Sequence, residues 1–119
     1  MSIESYENLI VWQKSMDLVV LIYKLTSDFP KDEIYGIISQ MRRASVSVPS
    51  NIAEGSRRSS KKDFRNFLLN AYGSGAELET QLKISKRLQL GKKENYQKAE
   101  EVLNEVMRML NKLTSELKD

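Results

Sequence analysis

Apolar residues recur at three- and four-residue spacing along almost the whole chain, the signature of helices that bury one face. From 8 to 27, Leu9, Trp12, Met16, Val19, Tyr23 and Thr26 mark one stripe. Val11, Leu18, Ile22 and Leu25 mark a second stripe beside it, so the first helix has a wide apolar face. Asp28-Phe29-Pro30 ends it, because proline disfavours helical geometry in the preceding residue. A second helix is predicted over 31–56, with Asp32 and Glu33 in a first turn that favours negative charge. Its stripe is Ile34, Ile38, Met41, Ser45, Val48 and Ile52. That stripe keeps its phase through Pro49, which favours one helix bent at the proline over a break with Pro49 opening a new helix. Ser60 and Asp63 have the capping-box spacing that opens a third helix. Phe64, Leu68, Ala71, Gly75, Leu78, Leu82 and Ser85 follow, Leu88 closes the helix and Gly91 offers a stop. Tyr96, Ala99, Leu103, Val106, Leu110, Leu113 and Leu117 make a heptad seam for a fourth. No run alternates long enough for a strand. The expected fold is all-α, an antiparallel up-down-up-down four-helix bundle. The 119 residues suit one domain, 1–119, with one core.

Several residues break this pattern. Gly73 and Gly75 sit inside the third helix, where each costs about 1 kcal/mol relative to alanine. Helix two has small residues at Ala44, Ser45, Ser47, Ser50 and Ala53. The simplest expectation is that the two helices approach small face to small face; the other is a ligand or partner lying on exposed backbone. Arg43, Ser47, Ser50 and Glu54 form a polar stripe that is either a solvated face or a polar interface. A pairing of Arg43 with Glu77 across helices two and three is a further expectation. Helix four has Val102, Met107 and Met109 beside its seam, and helix one has its double stripe. That surplus of apolar surface is either extra filling for a broad core or a face for another copy of the chain.

Composition removes much chemistry. There is no cysteine and no histidine, which excludes disulfides, thiolate chemistry, the commonest metal ligand and the commonest general base. No phosphate-binding glycine-rich loop appears. The expectation is a protein that is not an enzyme and needs no cofactor. The opening MSIESYENLI lacks a basic segment followed by an apolar one, so no signal peptide is expected. The apolar run at 18–23 is far short of the roughly 20 residues that span a bilayer. A cytoplasmic location without membrane association is therefore expected.

Charge is segregated. Residues 40–66 hold seven cations, Arg42, Arg43, Arg57, Arg58, Lys61, Lys62 and Arg65, against two anions, Glu54 and Asp63. The rest of the chain holds twelve cations and fourteen anions, so the net charge of +3 comes from about a quarter of the sequence. Lys61, Lys62 and Arg65 sit at a helix start, where the macrodipole disfavours cations. The bland reading is a solubilising turn. The functional reading is phosphate contact by these seven residues without sequence readout. No aromatic residue interleaves Arg57–Lys62, so base stacking is not indicated.

Longer motifs resemble a known family. VWQK at 11–14, FPKDEIYG at 29–36, QMRRA at 40–44, VPSNIAEG at 48–55 and GSGAELETQ at 73–81 are similar to the marks of the four-helix-bundle proteins encoded by intervening sequences of bacterial large-subunit rRNA genes. Ile37 departs from the family's usual leucine, conservatively. The resemblance covers nearly the whole chain. It implies a four-helix bundle assembled into a homopentameric barrel. It also implies kinship with accessory proteins of diversity-generating retroelements, which are thought to bind nucleic acid and a partner reverse transcriptase through positive surface. The expected function is a homo-oligomeric, sequence-nonspecific nucleic-acid-binding protein, with RNA favoured. The alternative is an oligomeric protein-interaction scaffold.

Overall fold

A computed structural model describes residues 5–118. Among them there are four α-helices and no strand: α1 Ile10–Thr26, α2 Ile37–Ser56, α3 Lys61–Arg87 and α4 Lys93–Glu116. Short 3-10 turns over Tyr6–Asn8 and Lys31–Glu33 precede α1 and α2. Helix α1 packs on α2 and α4, and α3 packs on α2 and α4, which sets α1 and α3 diagonally across the bundle. The molecule measures 45 × 24 × 21 Å, the proportions of a bundle little longer than its longest helix.

The heptad seam of α4 is buried as its spacing requires: Tyr96, Ala99, Leu103, Val106, Leu110 and Leu117 face the core and Leu113 is partly covered. Val102 is buried too, and Met107 and Met109 pack against the core, so the apolar surplus of α4 is consumed within the protomer. On α1 the second stripe is the buried one, through Val11, Leu18, Ile22 and Leu25. Of the first stripe only Thr26 is fully buried; Met16 and Tyr23 are exposed, and Val20 beside them is 67% exposed.

Helix α2 starts at Ile37, six residues after the expected 31, because Lys31–Glu33 closes into a 3-10 turn and Gly36 adopts a non-helical backbone. Ile34 therefore falls outside the helix and is half exposed, whereas Ile38, Met41, Ser45, Val48 and Ile52 are buried. The helix continues through a buried Pro49, as the unbroken phase indicates, although the Ser45 carbonyl loses its usual donor there.

Ser60 caps α3, its hydroxyl accepting from the Asp63 N–H at 3.1 Å. The far end closes differently from the sequence expectation. The Leu90 N–H donates to Ser85 O and the Gln89 N–H to Lys86 O, the paired bonds of a Schellman motif. Gln89, at φ 57°, takes the left-handed position that glycine usually fills. Gly91 follows at φ 72°, and a Cβ there would lie 2.8 Å from the Phe29 ring.

The small-face packing of α2 on α3 is present in part. Ala44 and Ser45 are buried, and the Ser47 and Ser74 hydroxyls meet at 2.8 Å. Gly55 of α2 admits Phe64 and Phe67 of α3. Gly75, however, serves α4: its missing side chain makes room for Met107. Gly73 faces open space, with nothing within 4 Å of where a Cβ would stand.

Candidate nucleic-acid interface

The turn between α2 and α3 carries the basic cluster, and its two helix ends are brought against the chain's other two. Arg57 lies over the Tyr6 ring at 5.3 Å, and Tyr6 packs edge-on to Trp12 at 5.2 Å. From the first turns of α3, Arg65 donates through Nε to Thr114 O in the last turn of α4 at 3.3 Å. The α2–α3 turn thus meets the Tyr6–Asn8 turn through Arg57 and the last turn of α4 through Arg65.

The seven candidate cations divide by what already holds them. Arg42 is half-buried, donates from Nε to Thr26 Oγ1 at 3.0 Å and stacks on Tyr23 at 4.4 Å. Its guanidinium locks α2 to the end of α1 and lies well away from the 57–62 turn. Arg65 is also half-buried and satisfies a carbonyl at the C-terminal end of α4, where cations are favoured. Arg58 pairs with Glu54 at 2.8 Å and covers the Phe67 ring at 4.7 Å. Arg57, Lys61 and Lys62 are exposed and have no anionic partner among the described residues, so they are the cations of this turn with open coordination. Arg43 is exposed as well, on the outer side of α2. The expected Arg43–Glu77 pair across α2 and α3 does not form: both side chains point to solvent, because Ser47 and Ser74 occupy the helix contact instead.

The helix start adds donors. The Asp63 N–H is used by Ser60, and the N–H groups of Lys61 and Lys62, ahead of it in the first turn of α3, have no intrahelical acceptor. Phosphate oxygens complement both kinds of donor. No ring lies between the cations, but Tyr6, reached only through the fold, flanks Arg57.

A second cationic turn, between α3 and α4, was not singled out in the sequence, although no anion lies among its cations. Lys86, Arg87, Lys92 and Lys93 gather there. Lys86 is held by Glu100 at 2.9 Å and Lys92 lies 4.0 Å from Asp28, whereas Arg87 and Lys93 are exposed and have no anionic partner among the described residues. Among the described residues no cluster of carboxylates is placed to hold a metal, and no helix is long and apolar enough to cross a membrane.

A crystal structure from Bacteroides thetaiotaomicron, described as a protein with unknown function from the S23 ribosomal protein family, is similar in fold. It is 25% identical, its TM-score is 0.79, and the match covers 88% of this chain and 98% of that one. No curated protein matches. The model of the family described as 23S rRNA-intervening sequence protein matches residues 7–112, nearly the whole bundle from the Tyr6–Asn8 turn to the last turns of α4, and the chain belongs to that family.

Proposed function

We propose that this protein is a non-enzymatic homo-oligomer that binds nucleic acid, RNA in the first instance, through phosphate contacts at the α2–α3 turn. The observation that carries the reading is that Arg57, Lys61 and Lys62 are exposed, without an anionic partner among the described residues, around the start of α3. Such contacts hold the backbone without reading bases. The four helices run up-down-up-down in this reading. Met41 meeting Ser85, Ser47 meeting Ser74 and Gly55 meeting Phe64 support opposite directions for α2 and α3. Arg65 with Thr114 and Lys86 with Glu100 do the same for α3 and α4. The protomers close into a ring, supported by apolar side chains left uncovered on α1, α2 and α3.

The test is fluorescence anisotropy with a structured rRNA hairpin and a matched DNA duplex at low and moderate salt. Affinity should fall steeply with salt, with a slope of about −0.9 per phosphate contact on the duplex. The combined Arg57→Glu, Arg58→Glu, Lys61→Glu and Lys62→Glu variant should lose binding and keep its helical circular dichroism. Unchanged affinity in that variant refutes the reading.

The second reading is a scaffold whose oligomer holds a protein partner, such as a reverse transcriptase, with nucleic acid incidental. Tyr35, 95% exposed in the turn before α2, favours it, because a large ring held fully in water suits a protein contact. Salt-insensitive capture of one partner, without nucleic-acid binding, would establish it.

A further inference from the structure

The turn between α3 and α4 borders a half-enclosed cavity of about 540 Å³, walled by Lys86, Gln89, Leu90, Gly91, Lys93 and Tyr96. That volume lies within the range of roughly 300–1,000 Å³ typical of small-molecule sites. The lining has the mixed character of such sites. Leu90, Gly91 and the Tyr96 ring give an apolar floor, and Lys86, Gln89 and Lys93 bring polar groups to its edge.

The fold fixes these walls. The Schellman bonds hold Gln89 and Leu90 to the last turn of α3. The buried Tyr96 ties Leu90 to α4 through its 2.6 Å bond to the Leu90 carbonyl, and Gly91 lies against Phe29. Lys86 is set in place by Glu100, whose two oxygens lie at 2.9 and 3.1 Å from its Nζ. Lys93 is exposed and has no anionic partner among the described residues. Two ammonium groups against one carboxylate leave the cavity net positive. Gln89 adds a separate point. At φ 57° it sits where a glycine would stand without strain. Side chains held in this conformation gather at binding sites, and the Gln89 side chain lines the cavity.

We propose that this cavity binds a phosphate monoester. The phosphate oxygens meet Lys86, Lys93 and the Gln89 amide, and the organic part lies over Leu90 and Tyr96. A monoester carries nearly two negative charges at neutral pH and three acceptor oxygens, which two ammonium groups and an amide complement. Two sources offer this chemistry, a free mononucleotide and the 5′-phosphorylated end of a strand. The site is separate from the α2–α3 turn, from which it lies across the length of α3.

The test is isothermal titration calorimetry on the full chain, both as wild type and with Arg57, Arg58, Lys61 and Lys62 changed to Glu. The probes are AMP, adenosine, inorganic phosphate, and a 5′-phosphorylated tetranucleotide with its 5′-hydroxyl form. A phosphate monoester should bind at least about tenfold tighter than its unphosphorylated counterpart, and inorganic phosphate should compete with it. Lys93→Gln should weaken monoester binding about fivefold. Gln89→Gly should weaken it about threefold while raising Tm, because glycine relieves the left-handed backbone. A Gln89 with only a structural role would leave affinity unchanged. Tighter binding of AMP than of the phosphorylated tetranucleotide supports the site as one for free nucleotides. The reverse order, lost with the 5′-hydroxyl form, supports it as one for strand ends. A Kd weaker than about 10 mM for both monoesters would overturn the site. So would monoester affinity unchanged in the combined Lys93→Gln/Gln89→Gly variant, or lost only when the α2–α3 turn is reversed in charge. A failure of nucleic-acid binding at the α2–α3 turn would leave this result standing, since the measurement is repeated with that turn's charges reversed.

Discussion

Adding one methyl group to a glycine should have three different consequences in this chain. At Gly55, in the last turn of α2, a Cβ would lie 2.6 Å from the Phe67 Cβ and 3.0 Å from the Phe64 ring. The Phe67 Cβ is fixed to the α3 backbone and cannot swing aside. Relief requires α2 and α3 to separate by close to an ångström, since carbons rest at about 3.5–4.0 Å. Overpacking of this kind costs about 1–3 kcal/mol. Removing glycine returns at most about 1 kcal/mol, and less so near a helix end, so Gly55→Ala should destabilise by about 1–2 kcal/mol. At Gly73 the methyl meets open space, and only the propensity gain of up to about 1 kcal/mol remains. At Gly75 the nearest atom is the Met107 sulfur, the far end of a flexible side chain that can rotate away. Clash and propensity then nearly cancel, leaving a change of about 1 kcal/mol or less. The assay is urea unfolding followed by far-ultraviolet circular dichroism, on the wild-type background at a chain concentration where the midpoint no longer depends on concentration. Stability should rank Gly73→Ala first, the background and Gly75→Ala next, and Gly55→Ala last. Each 1 kcal/mol should move Tm by roughly 3–6 °C in a chain of this size. A Gly55→Ala variant as stable as its background would refute the close approach of α2 and α3 from which the reasoning starts.

The division of the basic residues predicts a matching division of phenotypes. Arg65→Ala, which leaves the Thr114 carbonyl with only the Leu117 N–H, should cost up to about 1 kcal/mol of stability by urea titration, whereas Lys61→Ala and Lys62→Ala should each fall within about 0.5 kcal/mol of wild type. Arg42→Ala removes both the Thr26 bond and the Tyr23 stack and should cost about 1–3 kcal/mol. Ser60→Ala removes the α3 cap and should cost about 1 kcal/mol, with the loss of helicity seen by circular dichroism. Burial, reinforced by the negative charge of Glu100, pushes the Tyr96 phenol above its usual 10.0. The folded chain then holds that proton more tightly than the unfolded chain. This contribution is complete below pH 10.0 and is lost as pH rises through the folded value. Tyr96→Phe should flatten that alkaline loss in pH-dependent urea titrations. At neutral pH it should cost about 0.5–1.5 kcal/mol, from the 2.6 Å bond the phenol donates to Leu90 O.

Helical spacing made the buried faces of α3 and α4 legible, because a residue's face depends only on its position along one helix. The Ser60 cap was legible for the same reason: donor and acceptor lie three residues apart. What the spacing does not encode is the neighbour. Gly75 was read toward α2, yet its partner is Met107, thirty-two residues away on α4. Helix α1 offered two plausible stripes, and only packing of α2 and α4 on either side selects the one through Leu18 and Ile22. The α3 stop was assigned to Gly91, because a glycine is the usual left-handed cap; Gln89 fills that place while Gly91 makes room for Phe29. At the candidate interface the cations were legible as a run. Their different fates were not, since Thr26, Thr114 and Tyr6 reach Arg42, Arg65 and Arg57 only through the fold.

That sorting changes what a nucleic acid would meet. One protomer offers three open cations at the α2–α3 turn, too few for tight binding by phosphate contacts at physiological salt. A closed ring with its axis along the helices would keep every copy's turn on the same rim, because rotation about one axis preserves which end is up. Each added protomer would then contribute its own Arg57, Lys61 and Lys62 to a single cationic rim. Once one turn holds a phosphate, the next turn meets the same strand at high effective concentration, so affinity rises without any new kind of contact. The two halves of the reading are therefore not independent. In this reading assembly would supply the copies, and the copies would supply the charge that a single bundle lacks.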